Sequence, residues 1–291
     1  MSTPFDYQRA FSRNLGWVTE NEQKLLQSKR IAIAGLGGVG GSHLITLTRL
    51  GIGKFNISDL DTFELVNFNR QAGATVSHLG YPKTEIMRDM ALDINPDLQI
   101  NCFSEGIKQS NVDEFLDGVD LYVDGLDFFA TEARNIVFTA CAENNIPAIT
   151  AAPLGMGTSV LCFMPRKMTF EEYFCWEGQS EIEQLLRFLV GLTPVGLQMS
   201  YLVDDTKLDL ANHKGPSTPM GCDLCAGMVG SYTLKILLNR GKVSAVPKGM
   251  HFDAYKNKFI TTWRPWGNKN PIQKLNLSFL RKKIQKQLDK K

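Results

Sequence analysis

Two hydrophobic rhythms alternate along the first half of the chain. Thr19, with Glu22 three residues later, fits a capping box and predicts a helix running to about residue 29. Residues 31–34, Ile-Ala-Ile-Ala, form a short unbroken apolar run, the pattern of a strand buried on both faces of a parallel sheet. Glycines follow, then helical periodicity over 40–50 and a strand over 55–58. Pro82 suits the first turn of a helix, and the run from it to about 94 is amphipathic. Strands are predicted at 98–103, 121–123 and 148–151, with a helix at 131–144 between the last two. Strand and helix in alternation predict a parallel sheet with helices on both faces, connected by right-handed crossovers.

The second half is less regular. A strand is predicted over 159–164, mostly helix over 170–192, a polar crossing loop over 204–219 and a helix over 225–239. Residues 250–255 and 258–263 flank Lys256-Asn257, which predicts a hairpin and therefore antiparallel strands at the C-terminal end. The fold class expected is α/β, Rossmann-like, with a mainly parallel sheet and antiparallel C-terminal strands. The same pattern divides the chain into an N-terminal arm (1–29), a nucleotide-binding half (30–153), a C-terminal half (154–268) and a basic tail (269–291).

Composition narrows the class. The chain has 291 residues, 43% of them hydrophobic, enough for a substantial core. No apolar run reaches the roughly 18 residues of a membrane span, and the N-terminus lacks a basic-then-apolar leader. Six scattered cysteines do not make a disulfide framework, so a reducing cytoplasm is expected. The net charge of +2 is unevenly placed: residues 269–291 hold eight Lys and Arg against the single acid Asp289, leaving the body mildly acidic. In that tail Leu277, Leu280, Ile284 and Leu288 recur at helical spacing. It reads as a solvated helix or as a docking element for an acidic partner, RNA or an anionic membrane. The four histidines (43, 78, 213, 251) show neither metal-like nor triad spacing and read as structural.

The chemistry concentrates in one region. Gly35-Leu36-Gly37-Gly38-Val39-Gly40 matches G-x-G-x-x-G between a predicted strand and a predicted helix. Gly35, Gly37, Gly38 and Gly40 let the backbone turn sharply and approach a phosphate, which the helix N-terminus favours. Asp59 ends the next strand and can accept hydrogen bonds from ribose hydroxyls. Asn67, Arg70, Gln71 and Lys83 follow closely. Arg supplies a planar fork and Lys a compact charge, which a triphosphate needs beyond a helix end. Asp124 and Asp127 fall at the carboxyl end of a predicted strand, where a carboxylate can hold Mg²⁺; alternatively they close Asx turns.

These motifs together resemble the ThiF/MoeB/HesA family, relatives of the ubiquitin-activating enzymes. The resemblance runs from about residue 11 to 153 and more weakly to about 255. It rests on Gly35 to Gly40, Asp59-x-Asp61, Asn67-x-x-Arg70-Gln71, Pro82-Lys83, Ile94-Asn95-Pro96 and Asp124-x-x-Asp127. It implies an ATP-dependent adenylyltransferase that activates a carboxylate as an acyl-adenylate, with the glycine turn, Asp59 and Asp61 in the nucleotide site. Asp59 would bind the ribose, Asn67 and Arg70 would contact ATP, and Gln71 would support their loop. Lys83 would bridge the phosphates and Asp127 would hold Mg²⁺. Arg13 matches the N-terminal arm whose Arg enters a partner subunit's site, which implies a homodimer; Arg9 is the alternative. The carboxylate would belong to a ubiquitin-like or sulfur-carrier protein or another acyl substrate. A tRNA threonylcarbamoyladenosine dehydratase-like enzyme acting on tRNA, or a nonenzymatic regulatory partner, are the alternatives.

The chain departs from the family in places. Many members carry two Cys-x-x-Cys pairs that bind zinc; here only Cys222-x-x-Cys225 is present, and no zinc site is expected. Phe128 and Phe129 follow Asp127 where the family often has Asn. No catalytic cysteine can be assigned among Cys175, Cys222 and Cys225. The last two fall near a predicted helix start, whose dipole would lower a thiol pKa.

Overall fold

Ile31 and Ile33 of the first strand enter one apolar core, and Ala32 and Ala34 enter a second on the opposite side of the sheet. That two-sided burial explains the unbroken apolar run. The computed structural model describes residues 4–193, 195–208 and 215–288, with side chains through Lys282. Its N-terminal elements are α1 (Tyr7–Ala10), α2 (Glu20–Ser28), β1 (Arg30–Ala34), α3 (Gly38–Arg49), β2 (Lys54–Ser58), α4 (Lys83–Ile94), β3 (Gln99–Phe103), α5 (Val112–Phe115), β4 (Leu121–Asp124) and α6 (Thr131–Glu143). They are followed by β5 (Ala148–Leu154), β6 (Gly157–Phe163), α7 (Phe170–Phe174), α8 (Glu181–Leu192), α9 (Pro219–Leu237), β7 (Lys248–Asp253), β8 (Lys258–Trp263) and α10 (Pro271–Leu288).

The strands form one eight-stranded sheet in the order β3-β2-β1-β4-β5-β6-β7-β8. β3 to β5 pair in parallel; β6, β7 and β8 are antiparallel, as the alternation and the hairpin predict. The chain leaves β1 toward β2 and β3, then returns across the sheet to β4. β1 and β4 therefore flank the topological switch point, where ligands bind in open α/β sheets. α3, α4 and α9 contribute to the core on one face, with Leu44, Leu47, Met87, Cys225 and Val229. The opposite core is aromatic, with Phe138, Phe163, Phe170, Phe174 and Phe188 from α6, β6, α7 and α8, and Trp176 from the loop between α7 and α8. Each such fully buried side chain contributes about 1.5–3 kcal/mol. Among the described residues no helix is long and apolar enough to cross a membrane.

Local chemistry sets the ends. The Thr19 capping box is present: its side chain accepts from Glu22 N–H and Glu22 accepts from Thr19 N–H. The stretch over 170–192 is two helices, because Cys175 adopts a left-handed conformation with φ 55° that ends α7. The helix expected over 225–239 begins earlier, at Pro219, with Thr218 capping Gly221 N–H. The proline occupies the first turn, where its missing N–H costs nothing. Leu277 of α10 is buried against Leu186 and Val190 of α8, and Leu280 packs beside them. The side chains of Ile284 and Leu288, and all of His213, lie outside the described residues.

The crossing segment is fixed at both ends to the β5–β6 turn. Tyr201 accepts from Met156 N–H at 2.9 Å and donates to Asp253 Oδ2 at 2.8 Å. Thr218 Oγ1 donates to Gly155 O at 2.6 Å.

Candidate functional site

Gly37 stands at the N-cap of α3 and offers no side chain to cap it, so the first-turn N–H groups have no side-chain partner. The turn is tight. A β-carbon on Gly40 would stand 1.7 Å from Gly35 O, and one on Gly125 would stand 2.3 Å from the same oxygen. Only glycines let β1, α3 and the β4–α6 loop meet this closely. Gly125 was not among the residues singled out in the sequence; its place between Asp124 and Asp127 hid a packing role.

Asp59 ties this turn to β2. Its Oδ2 accepts from Leu36 N–H at 2.6 Å and its Oδ1 from Asp61 N–H at 2.8 Å. Burial pushes the Asp59 carboxyl above its ordinary value, with Lys83 the main opposing influence. Beyond it lies a cleft of about 370 Å³ lined by Leu60, Asp61, Thr62, Glu64, Asn67 and Lys83. Lys83, at the start of α4, is 5% exposed, and its Nζ is 2.9 Å from Asp61 Oδ2. A nearly buried ammonium facing a polar cleft is desolvated enough to act strongly on an anion there. Asn67 is buried and closes its own turn by accepting from Glu64 N–H at 2.9 Å.

Gln71 and Arg70 lie against the α3 start. Gln71 is buried, its Nε2 would be 3.7 Å from a β-carbon on Gly37, and its Oε1 has no hydrogen-bond partner among the described residues. The Arg70 stem runs past Gly38, while Nη1 donates to Val66 O at 3.2 Å and Asn69 Oδ1 at 3.0 Å. Asn69 in turn donates to Ser217 O at 3.0 Å, joining this loop to the approach of α9.

The two aspartates at the carboxyl end of β4, Asp124 within it and Asp127 just beyond, part company. Asp124 is buried and paired with Arg134 Nε at 3.0 Å, so its charge is spent inside the protein and it is not a free metal ligand. Asp127 is exposed; its Oδ1 accepts from Phe129 N–H at 3.0 Å, and it makes no ion pair among the described residues. Both Asx turns anticipated for this segment are present, since Asp124 Oδ1 also accepts from Leu126 N–H. Asp127 makes no hydrogen bond to Arg70 or Lys83; it stands on the β4 side of the glycine turn and they stand on the β2 side.

Arg13 is exposed on a short 3-10 turn, Ser12–Asn14. The adjacent Asn14 donates to Arg49 O and Leu50 O, at the far end of α3. A helix of that length spans about 18 Å, so Arg13 does not join the cleft of its own chain.

The cysteines correct one expectation. Cys222 does sit at a helix start, yet burial raises its thiol pKa despite Ser217 and Arg70, which act the other way. Burial also raises Cys225, which bonds Thr158 at 3.1 Å, and Cys175. His43 and His251 are buried, and His78 Nδ1 bonds Gly73 O.

Fold and cleft together define a doubly wound α/β protein with a glycine-lined helix start at the switch point of its sheet. The ThiF family model matches residues 11–274, and the chain belongs to the ThiF family. It is 31% identical over 151 residues to the tRNA threonylcarbamoyladenosine dehydratase of Haemophilus influenzae, covering 52% of this chain and 57% of that protein. It is 30% identical over 179 residues to the sulfur carrier protein ThiS adenylyltransferase of Escherichia coli, covering 60% and 69%. The chain thus spans little more than half the length of the dehydratase. Among solved structures it is similar to PaaA, with a TM-score of 0.67 at 18% identity over 90% of this chain and 76% of that one. It is also similar to E. coli MccB with AMPCPP and MccA (TM-score 0.66, 19% identity, 89% and 73% covered). These structural likenesses establish the fold.

Proposed function

We propose that the chain is an ATP- and Mg²⁺-dependent adenylyltransferase that activates the C-terminal carboxylate of a ubiquitin-like or sulfur-carrier protein. The observation that carries this reading is the nearly buried Lys83 in a polar cleft whose Asp61 is tied through Asp59 to Leu36, in the glycine turn that opens α3. The likeness to the sulfur carrier protein ThiS adenylyltransferase of E. coli supports it.

The residues present fit ATP. Bare glycines leave room for phosphates, the orphaned Gln71 Oε1 sits beside Gly37, and Asp59 keeps carboxylate lone pairs for ribose hydroxyls. A carboxylate oxygen of the acyl substrate attacks the α-phosphorus, the new bond is P–O, and the bond to pyrophosphate breaks. Charge builds on the leaving pyrophosphate. Lys83 neutralises it after exchanging its Asp61 partner for phosphate oxygens, and Arg70 swings from Val66 and Asn69 to share the load. Asp127, exposed and without a cationic partner among the described residues, fits Mg²⁺, which would supply further charge neutralisation at the phosphates. No general base is needed, because the attacking carboxylate is already ionised and positioning does the rest.

ATP–pyrophosphate exchange tests the reading. Arg70→Ala and Lys83→Ala are each expected to lower exchange by roughly a hundredfold or more. Full exchange in both variants would end the assignment.

A second reading, in which the activated carboxylate is carried by a tRNA, is favoured by the basic run on α10 and by the dehydratase relatives. Charge reversal at Lys282, Lys283 and Lys286 is expected to abolish salt-sensitive tRNA binding if tRNA is the substrate. Binding that does not change would remove this alternative.

A further inference from the structure

The guanidinium of Arg134 fills the inside of the loop between β4 and α6. It is 1% exposed. Its Nε faces Asp124 Oδ2 at 3.0 Å, and its Nη2 donates to Leu126 O at 2.7 Å and Asp127 O at 2.9 Å. Longer contacts, at 3.4 Å, run from Nη1 to Phe128 O and Ala130 O. Its carbon lies 4.4 Å from the centroid of the Phe188 ring on α8, and Phe128 packs on that same ring. One planar cation thus gathers a carboxylate and four backbone carbonyls of a single loop.

We propose that Arg134 is a positioning residue that holds Asp127 in its outward orientation. This rests on the reading of Asp127 as the Mg²⁺-holding carboxylate. With the loop carbonyls drawn inward onto the guanidinium, the Asp127 side chain is left exposed while its own carbonyl is anchored beneath it. The pairing also neutralises Asp124, so the second carboxylate of the motif neither competes for a cation nor repels Asp127. Lysine cannot replace this arrangement: its three donors radiate from a point, whereas the loop presents acceptors around the rim of a plane. Groups that orient a metal-binding side chain typically change metal affinity by ten- to a hundredfold when removed.

The test uses Arg134→Lys in the full chain, which keeps a charge for Asp124. Two measurements are made. In the nucleotide-free protein, amide hydrogen exchange over residues 125–131 should accelerate about tenfold or more, while β1 and α3 keep their protection. In ATP–pyrophosphate exchange, the Mg²⁺ concentration for half-maximal rate should rise by roughly tenfold. Unchanged loop protection would overturn the proposal. Faster loop exchange with an unchanged Mg²⁺ requirement would overturn it too, reducing Arg134 to a structural role. Should Arg134→Lys fail to fold, Phe188→Leu removes the ring under the guanidinium, and the same two measurements decide, with smaller shifts expected. Asp127→Asn separates the two levels: wild-type exchange and Mg²⁺ dependence in that variant would defeat the magnesium reading, whereas loop protection in Arg134→Lys reports on Arg134 alone.

Discussion

The Cys222 sulfur lies against Gly38: a β-carbon placed on that glycine would stand 2.9 Å from it. The first turns of α3 and α9 are packed with no room for a methyl group between them. Gly38→Ala is therefore expected to destabilise the protein by about 1–3 kcal/mol. Because the nearest obstacle is one side-chain atom and the next, the flexible Arg70 stem at 3.3 Å, can give way, Cys222→Ala should restore most of the loss in the double variant. Chemical denaturation of the four proteins in the cycle measures this, and additive losses would contradict the contact. Gly40→Ala should find no such rescue, since its β-carbon would meet backbone, Gly35 O at 1.7 Å.

Acid should weaken the fold through its buried imidazoles. Both nitrogens of His43 lack a partner among the described residues, and burial pushes its pKa from 6.5 down to about 3. His251 is also lowered by burial, with Asp253 acting against the shift. Between those values the unfolded chain binds a proton that the folded protein refuses, so stability is full above pH 6.5 and falls as pH drops toward about 3. The loss from His43 is on the order of a few kcal/mol at the acid end. Thermal melts of His43→Leu should show a flatter decline between pH 6.5 and about 4. A decline as steep as that of the parent protein would remove His43 as the cause.

Arg13 sits at the opposite end of α3 from the glycine turn, so a role in catalysis requires a second copy of the chain. In the homodimer proposed from family resemblance, Arg13→Ala and Lys83→Ala should each be inactive alone. Mixed and allowed to exchange subunits, they should regain about a quarter of wild-type pyrophosphate exchange, because half the dimers are mixed and each has one intact site. Recovery of nothing, with subunit exchange verified, would exclude the shared site.

The C-terminal helix is expected to be needed for stability apart from any partner. Leu277→Ala, at a side chain 2% exposed against Leu186 and Val190, should cost about 2–4 kcal/mol. Lys282→Glu, on an exposed side chain of the same helix, should leave the melting temperature unchanged. Equal effects of the two would mean that α10 does not pack through its Leu277 face.

Much of this architecture can be read from the residues alone because the deciding signals are local. A two-sided apolar run gives β1, a glycine turn gives the start of α3, and Thr19 with Glu22 gives the start of α2. The polar residues at the cleft are legible for the same reason: Asp59 and Asn67 come soon after the end of β2, and Lys83 opens α4 directly after Pro82. What stayed hidden depends on distance through space. Asp124 and Asp127 look alike in sequence, and it is Arg134, ten residues beyond the first, that makes Asp124 internal while Asp127 stays exposed. Arg134 itself reads as one more polar position on a helix. The start of α9 was obscured because Gly221 and the polar residues before it resemble loop, although Thr218-Pro219 is a good helix opening. The thiol of Cys222 was misjudged because the helix dipole can be read from sequence whereas burial cannot.

Tyr201 and Thr218 are both clamped to the turn between β5 and β6, so the fold itself sets where the intervening stretch departs and where it rejoins. Its length is then almost free to vary: doubling a loop between fixed ends costs only about 0.6 kcal/mol. Lengthening the connection between these two clamps is therefore expected to leave the sheet and the β5–β6 turn as they are.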